Sequence, residues 1–593
     1  MQTKEKLAAL RELMKQEGLQ AFVVTNADPH LSEYMAAHYK YRAWLSGFTG
    51  SAGTVVVTEE MAGLWTDGRY YIQAENELLG SGIDLFRAAQ PGTPSIPEFL
   101  AQKLPQGAHL GFDGTALSAA LYQQFKKQLK QKEIVLHPDK PLIAKLWQEN
   151  RPSLPNSPIF QLDLKYAGQT PKQKLEQLRL SMATLGLDNY ICGSLEAGAW
   201  LSNLRSWGII DFNATFPCYV MLDSDQAQFF VETKRLTSSV HEELQEMGFE
   251  VKEYNEINDF IKKIPAGKEV GLDSRSINAL LYSLIPATVQ IVEVEELIAA
   301  LKTVKNEAEI EALKQGHILD GIAYLRFLMW FEQQDLNQIC EYDISQKLTA
   351  LRLAQSGCYG DAFRGIIAYG ANAAMMHYGP DPVQSSSLAQ AGFLLMDSGG
   401  MYPGCTTDIT RTIACGELTD EEKFQFTLTL QSVIGLASAT FLEGSSGLAL
   451  DILSRGLMWK HGLDYKCGTG HGVGAGLSVH EGPQSFSSPV KLKPNMVLTI
   501  EPGIYLEGLR GIRLENQVYV TKERYEEVAG QFFAFSSFTM APIDKKAIVV
   551  EQLSTKELAW LNTYHATVYQ TLAPHLNTEE KAFLEHACQP LGV

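Results

Sequence analysis

Cysteine is scarce in this chain. Its eight thiols, at positions 192, 218, 340, 358, 405, 415, 467 and 588, are spread over 593 residues, and none forms a Cys-x-x-Cys pair. That pattern excludes a disulfide-built scaffold and reads as reduced thiols. Positive charge is also in short supply. Fifty Lys and Arg stand against 68 Asp and Glu, a formal net charge of −18. Such a chain repels phosphate backbones, so nucleic acid is not an expected partner. No apolar run reaches the ~18 residues that a membrane-spanning helix needs, so no membrane partner is expected. The first residues, MQTKEKLAALRELMKQEGLQAF, are charged throughout. They have neither the apolar stretch nor the small-residue cleavage site of a secretory signal, so the expected compartment is the cytoplasm.

What is present is ordinary for a globular protein: 45% hydrophobic, 20% charged and 10% aromatic residues. The length is too great for one hydrophobic core and implies roughly three or four domains. Residues 1–150 open on a helix with an apolar stripe (Leu7, Leu10, Leu13, Met14). The strands AFVVT (21–25), TVVVT (54–58) and GLWTDGRYY (63–71) follow. The segment QENRPSLPNSP, 148–158, is rich in Pro, Ser and Asn and reads as a linker. Residues 151–302 repeat the order of helix, apolar strand, small-residue turn and further strands, which suggests a second domain of the same type. A third unit, 303–540, starts with a long helix read as amphipathic, with acidic residues in its first turn. Residues 541–593 look helical, and Ser554 with Glu557 has the spacing of a capping box.

The chemistry concentrates in the third unit. KCGTGHGVGAG, 466–476, sets five glycines around His471. A phosphate-binding loop needs an apolar strand before it and a helix after it, and neither flank fits. Two readings stay open: a glycine-rich turn without chemistry, or glycines that let His471 approach a buried ion. Carboxylates stand nearby in apolar surroundings. Asp397 ends one apolar strand, Asp408 opens the next eleven residues later, and a hairpin around GGMYPG would bring them side by side. Glu501 and Glu515 repeat the arrangement around EGLRG. Facing carboxylates inside apolar sequence repel and lose hydration, so they stay ionised only with a cation between them. Four carboxylates and one imidazole suit Mn²⁺, Mg²⁺, Fe²⁺, Co²⁺ or Zn²⁺, and two of the five able to bridge suit a pair of ions. His377, in MMHYGPDP, and His480, in SVHEGP, lie in Gly/Pro loops beside these segments and are further candidates.

HYGPD, MDSGGMYPGCTTDITRT, GTGHGVG with VHEGP, TIEPGIY and IRLEN occur in that order. Together they resemble aminopeptidase P, the Xaa-Pro aminopeptidases, in their three-domain cytosolic form. SEYMAAHYKYRAWLSGFTGSAGTVVVT and LWTDGRYY are similar to that family's N-terminal domain. The resemblance implies a mixed α/β (α+β) chain: creatinase-like domains at 1–150 and 151–302, a pita-bread metallopeptidase domain at 303–540, and a helical extension at 541–593 that is a candidate dimer contact. It implies that Asp397 holds one divalent ion, that Asp408 and Glu515 bridge two, and that His471 and Glu501 complete the second. Mn²⁺ is the expected metal, with Zn²⁺, Co²⁺ or Fe²⁺ as alternatives. Glu501 orients or deprotonates the attacking water, His480 stabilises the oxyanion, and His377 hydrogen-bonds the substrate. Arg69, in TDGRYY, matches a substrate-contacting arginine; the alternative is an arginine that fixes a strand–helix corner. The expected reaction is release of the residue before proline from Xaa-Pro-Yaa peptides by a homodimeric enzyme. A prolidase acting on Xaa-Pro dipeptides, or a non-catalytic pita-bread binding protein, is the alternative. One position departs from the family: Cys467 stands where many members have histidine. A thiol there raises the question of a missing hydrogen bond and of oxidation or Zn²⁺ sensitivity.

Overall fold

A computed structural model describes residues 1–592. It divides into two compact units, one of residues 1–161, 169–211 and 215–298, the other of residues 162–168, 212–214 and 299 onward.

The first unit contains two six-stranded mixed sheets. One is built from Ala21–Val24, Thr54–Thr58, Ala62–Thr66, Asp84–Arg87, His109–Phe112 and Val135–His137. Numbered along the chain, its strands lie side by side in the order fourth, third, second, first, fifth, sixth. The other sheet, from Asn189–Cys192, Cys218–Asp223, Ala227–Val231, Glu250–Glu253, Glu269–Leu272 and Gln290–Glu293, has the same order. In both, the first three strands are antiparallel and the outer pairings are parallel. Two domains of one fold type therefore make up this unit. They meet at matching positions: Ser118 and Asn278 each cap the helix after the fifth strand of their own sheet. Ala119 N–H donates to Ile277 O at 2.8 Å and Ala279 N–H to Leu117 O at 2.7 Å. The linker-like residues 151–158 carry no helix or strand.

The strand read over 63–71 stops at Thr66. Asp67 accepts the Arg69 N–H at 3.1 Å, a local side-chain-to-backbone bond that turns the chain, and a helix starts at Tyr71.

The second unit is organised by the helix Glu307–Phe331. Asn306 and Glu309 form a capping box, and Glu307 and Glu309 place negative charge in the first turn. The single apolar face expected from the sequence is too narrow a description. Ile310, Ala312, Leu313, His317, Asp320, Ile322 and Leu325 are all buried, so the helix is enclosed on several sides. Around it lie the antiparallel sheet Ile366–Tyr369, Phe393–Ser398 and Ile409–Ala414, and a six-stranded sheet whose central pair is Val497–Ile500 with Asn516–Glu526. The Ser554–Glu557 capping box opens the helix Thr555–Leu572. Its Leu561, Tyr564, Val568 and Leu572 join the main core with Phe426, Leu430, Leu498 and Val520. No helix among the described residues is long and apolar enough to cross a membrane.

Candidate metal centre

Two hairpins deliver their carboxylates to the same place. Asp397 lies opposite Thr410 in the pairing of Phe393–Ser398 with Ile409–Ala414, and Asp408 stands just before that second strand. The hairpin tip is Gly400–Tyr402 against Cys405–Thr406. Ile500 pairs with Asn516, so Glu501 and Glu515 occupy the next position along their ladder, before the hairpin of Gly503–Leu506 with Arg510–Arg513.

His471 comes from the glycine run, and the question that run posed has a steric answer. A Cβ on Gly470 would lie 1.9 Å from the Thr499 carbonyl oxygen. Gly476 has φ +62°, and its Cβ would sit 2.9 Å from the Gly404 backbone. The run packs against the first hairpin and carries the short strand His471–Gly472, which lies between Val497–Ile500 and Glu481–Ser485, with bends and a strand after it instead of a helix. His471 N–H donates to Thr499 Oγ1 at 3.1 Å. Its ring Nδ1 lies 3.0 Å from Gly472 O. A carbonyl only accepts, so Nδ1 carries a proton, and Nε2 is the ring atom that faces the carboxylates.

Ligand atoms of Asp408, His471 and Glu515 all lie within 4.8 Å of one another. His471 Nε2 is 3.4 Å from Asp408 Oδ2 and 3.5 Å from Glu501 Oε1. Asp397 flanks the group, with Oδ2 2.6 Å from Arg513 Nη2 and Oδ1 buried without a hydrogen-bond partner. Glu515 has the same asymmetry: Oε2 accepts from Thr410 Oγ1 at 2.7 Å, while Oε1 is buried and unpartnered. Burial pushes the carboxyl groups of Asp397, Glu501 and Glu515 upward, and the charge of Asp408 adds to it in all three. Burial opposes a charged His471, but the hydrogen bond to Asp408 and the charge of Glu501 outweigh it and raise the imidazole to about 9. The site is thus a pocket of excess negative charge with unused acceptors, a chemical match for cations.

The other candidates fall in different surroundings. His480 is exposed, its ring edge-to-face with His471 at 4.3 Å between centroids. His377 is exposed in the turn after the short helix Gly370–Ala374. Its neighbour Tyr378 donates to the fully buried Glu341 at 2.7 Å, which anchors that loop. Arg69 belongs to the first unit, where its Nε and Nη2 grip Asp67 at 2.9 and 2.8 Å. The Cys467 thiol is pushed up to about 12, by burial first and then by the charge of Glu501. It packs, as a protonated, apolar side chain, against the cluster of Leu428, Met458, Tyr465 and Ile504.

Several residues escaped the sequence reading. Arg513 links Asp397 to Tyr505 OH at 2.7 Å and to Thr410 Oγ1 at 3.1 Å. A base two residues before Glu515 in an apolar, strand-like stretch of sequence was the available signal; in the structure Arg513 ends the strand Arg510–Arg513, and Glu515 lies just before Asn516–Glu526. Glu481, beside His480, is buried and ion-paired with Lys302 at 2.7 Å and with Lys305. Those lysines are far away in sequence, and no local pattern joins them to it. Arg455 donates to the backbone oxygens of Tyr465 and Cys467 at 2.8 and 3.1 Å and so shapes the approach to the glycine run.

Fold and site together define a class: two creatinase-like domains followed by a pita-bread domain with a carboxylate–histidine centre. The family model described as metallopeptidase family M24 matches residues 311–522, and its C-terminal region matches 531–591. Two models of the creatinase/prolidase N-terminal domain match 6–146 and 150–309. The chain is 35% identical to aminopeptidase P2 of Arabidopsis thaliana, over 96% of this chain and 86% of that one. It is 37% identical to a probable Xaa-Pro aminopeptidase P of Laccaria bicolor, over 99% and 94%. The crystal structure of the X-prolyl aminopeptidase of Caenorhabditis elegans, described as a cytosolic enzyme with a di-nuclear active site, superposes with a TM-score of 0.93 at 31% identity, covering 100% of both chains. The chain belongs to the Xaa-Pro aminopeptidase P family of the M24 metallopeptidases.

Proposed function

We propose that this chain is a metal-dependent exopeptidase that releases the N-terminal residue from peptides with proline in second position. Asp397, Asp408, His471, Glu501 and Glu515 hold its two divalent cations. The names of its relatives support the reaction class. One structural observation carries the metal assignment: Asp397 Oδ1 and Glu515 Oε1 are buried with no donor. An unsatisfied buried acceptor costs about 1–3 kcal/mol, and more when charged, so the site is built for cations. Oxygen donors with one imidazole favour hard or borderline ions. Mn²⁺ is the proposed metal, and Zn²⁺, Co²⁺ and Fe²⁺ fit the same donors.

Divalent ions held there would supply Lewis acidity toward the scissile carbonyl and toward water near neutral pH. The protein supplies the rest. Asp397, Asp408, His471, Glu501 and Glu515 would hold the ions through their carboxylate oxygens and the His471 imidazole. A carboxylate oxygen of Glu501 takes a proton from the attacking water. That proton ends on the proline nitrogen as the C–N bond breaks. The His480 ring N–H donates to the carbonyl oxygen as its charge grows. His377 hydrogen-bonds the substrate and assists the proton transfer. Arg69 is the proposed substrate-contacting arginine of the first unit. The imide bond has no N–H, so recognition rests on the ring and on the free N-terminal amine.

The proposal also takes domain boundaries at 150, 302 and 540, a homodimer with 541–593 as a candidate contact, and a cytoplasmic location. Metal analysis after loading and desalting tests its core. Two ions per wild-type chain and fewer in Asp408→Asn support it; a wild type that retains none sinks it.

A further inference from the structure

Glu515 is held at three points by the dipeptide Thr410–Arg411. Thr410 Oγ1–H donates to Glu515 Oε2 at 2.7 Å. Glu515 N–H donates to Thr410 O at 3.1 Å. Arg411 Nη1 donates to Glu515 O at 2.6 Å. Between them they fix the backbone and one oxygen of the carboxylate and leave Oε1 buried and unpartnered.

Arg411 is itself buried, and its partners are neutral oxygens. Nε donates to Pro542 O at 3.2 Å, and Nη1 also donates to its neighbour Thr410 O at 3.0 Å. Nη2 faces Asn516 Oδ1, Ala541 O and Tyr564 OH at 2.9, 2.9 and 2.8 Å. A guanidinium has five N–H groups in one rigid plane, so acceptors at its far end set where the near end points. Tyr564 supplies that far end twice. Its oxygen accepts from Nη2, and its O–H lies 2.8 Å from Ala541 O, which is another Nη2 acceptor. Tyr564 is fixed in turn. It lies on the helix Thr555–Leu572, is buried in the main core, and stacks on Trp560 at 5.5 Å.

We infer that the C-terminal helix is part of the metal centre's support: Tyr564, acting through Arg411, is a positioning residue for the Glu515 carboxylate. The inference rests on Glu515 being a ligand, as proposed above. It gives the C-terminal region a role in metal affinity in addition to closing the core.

The test is Tyr564→Phe, which removes one hydroxyl and keeps the ring. Metal affinity is read by Mn²⁺ competition against a fluorescent chelator, beside kcat and KM on an Xaa-Pro-Yaa tripeptide. Loss of an outer hydrogen-bond partner of a metal site costs about 10–100-fold. The expected result is the low end of that range, about tenfold weaker Mn²⁺ binding and a similar fall in kcat, with KM unchanged within about twofold. Val568→Ala is the control. It trims the same helix in the same core, and it should lower the unfolding temperature with metal affinity intact. Wild-type affinity and kcat in Tyr564→Phe would overturn the inference, as would affinity falling in step with stability in Val568→Ala. A wild type that binds no Mn²⁺ would instead remove Glu515 as a ligand, and this inference with it.

Discussion

Arg513 Nη2 sits 2.6 Å from Asp397 Oδ2, and both groups are buried. A cation built into a cluster of carboxylates offsets part of its repulsion and turns the free oxygen of Asp397 inward. Removing one partner of a buried pair leaves an uncompensated charge, at a cost of about 3–5 kcal/mol. Arg513→Gln should therefore destabilise the metal-free protein by an amount near that range. Saturating Mn²⁺ should restore part of the loss. Activity should fall about 10–100-fold, because Asp397 loses its orienting partner. Chemical denaturation with and without metal, beside kcat, checks all three.

Glu515→Gln should separate stability from function. Burial first, then the charges of Asp408, Glu501 and Asp397, hold the Glu515 carboxyl well above its usual range in the metal-free fold. The unfolded chain ionises it freely, so near neutral pH this residue opposes folding. The amide keeps the shape without the charge. The variant should lose more than about 100-fold in activity, beyond the cost of an outer partner alone. Its metal-free form should gain about 1–2 kcal/mol, the usual return from relieving a functional site.

The helix that carries Tyr564 also carries a buried, neutral histidine. His565 Nε2 accepts the Ile543 N–H at 3.1 Å, and burial pushes the imidazole down to about 3. Between about 6.5, its ordinary value, and that lowered value, the unfolded chain binds a proton that the folded chain refuses. This contribution is complete above 6.5 and is lost as the pH falls, at about 1.4 kcal/mol per pH unit. Denaturation of wild type and His565→Gln from pH 7 to 4.5 should show a slope shallower by about that amount in the variant.

Cys467 should prove dispensable for chemistry. Its thiol, held up to about 12, stays protonated near neutral pH and offers no thiolate for metal or oxidant. Cys467→Ser should keep kcat within about threefold, and thiol reagents at pH 7.5 should inactivate wild type slowly.

Much of this was legible in the sequence because it depends on neighbours along the chain. Asp397 and Asp408, or Glu501 and Glu515, flank turns short enough that the buried strands on either side bring them together. Capping residues such as Ser554 announce their helices locally. The rest depends on contacts between distant segments. Lys302 and Lys305 meet Glu481 across about 180 residues, and Arg411 meets Tyr564 across 153. Periodicity carries no record of such pairings. The enclosure of the helix Glu307–Phe331 was missed for the same reason, since burial of Gly316, His317 and Asp320 is decided by what packs around them.

The central claim is metal-dependent cleavage before proline in peptides longer than two residues. It is tested most directly by incubating metal-stripped protein, with and without Mn²⁺, with an Xaa-Pro-Yaa tripeptide and with the Xaa-Pro dipeptide. Release of the N-terminal residue from the tripeptide only when Mn²⁺ is added, with little from the dipeptide, is the expected result. Cleavage of the dipeptide alone, or of neither peptide with any divalent ion, would contradict it.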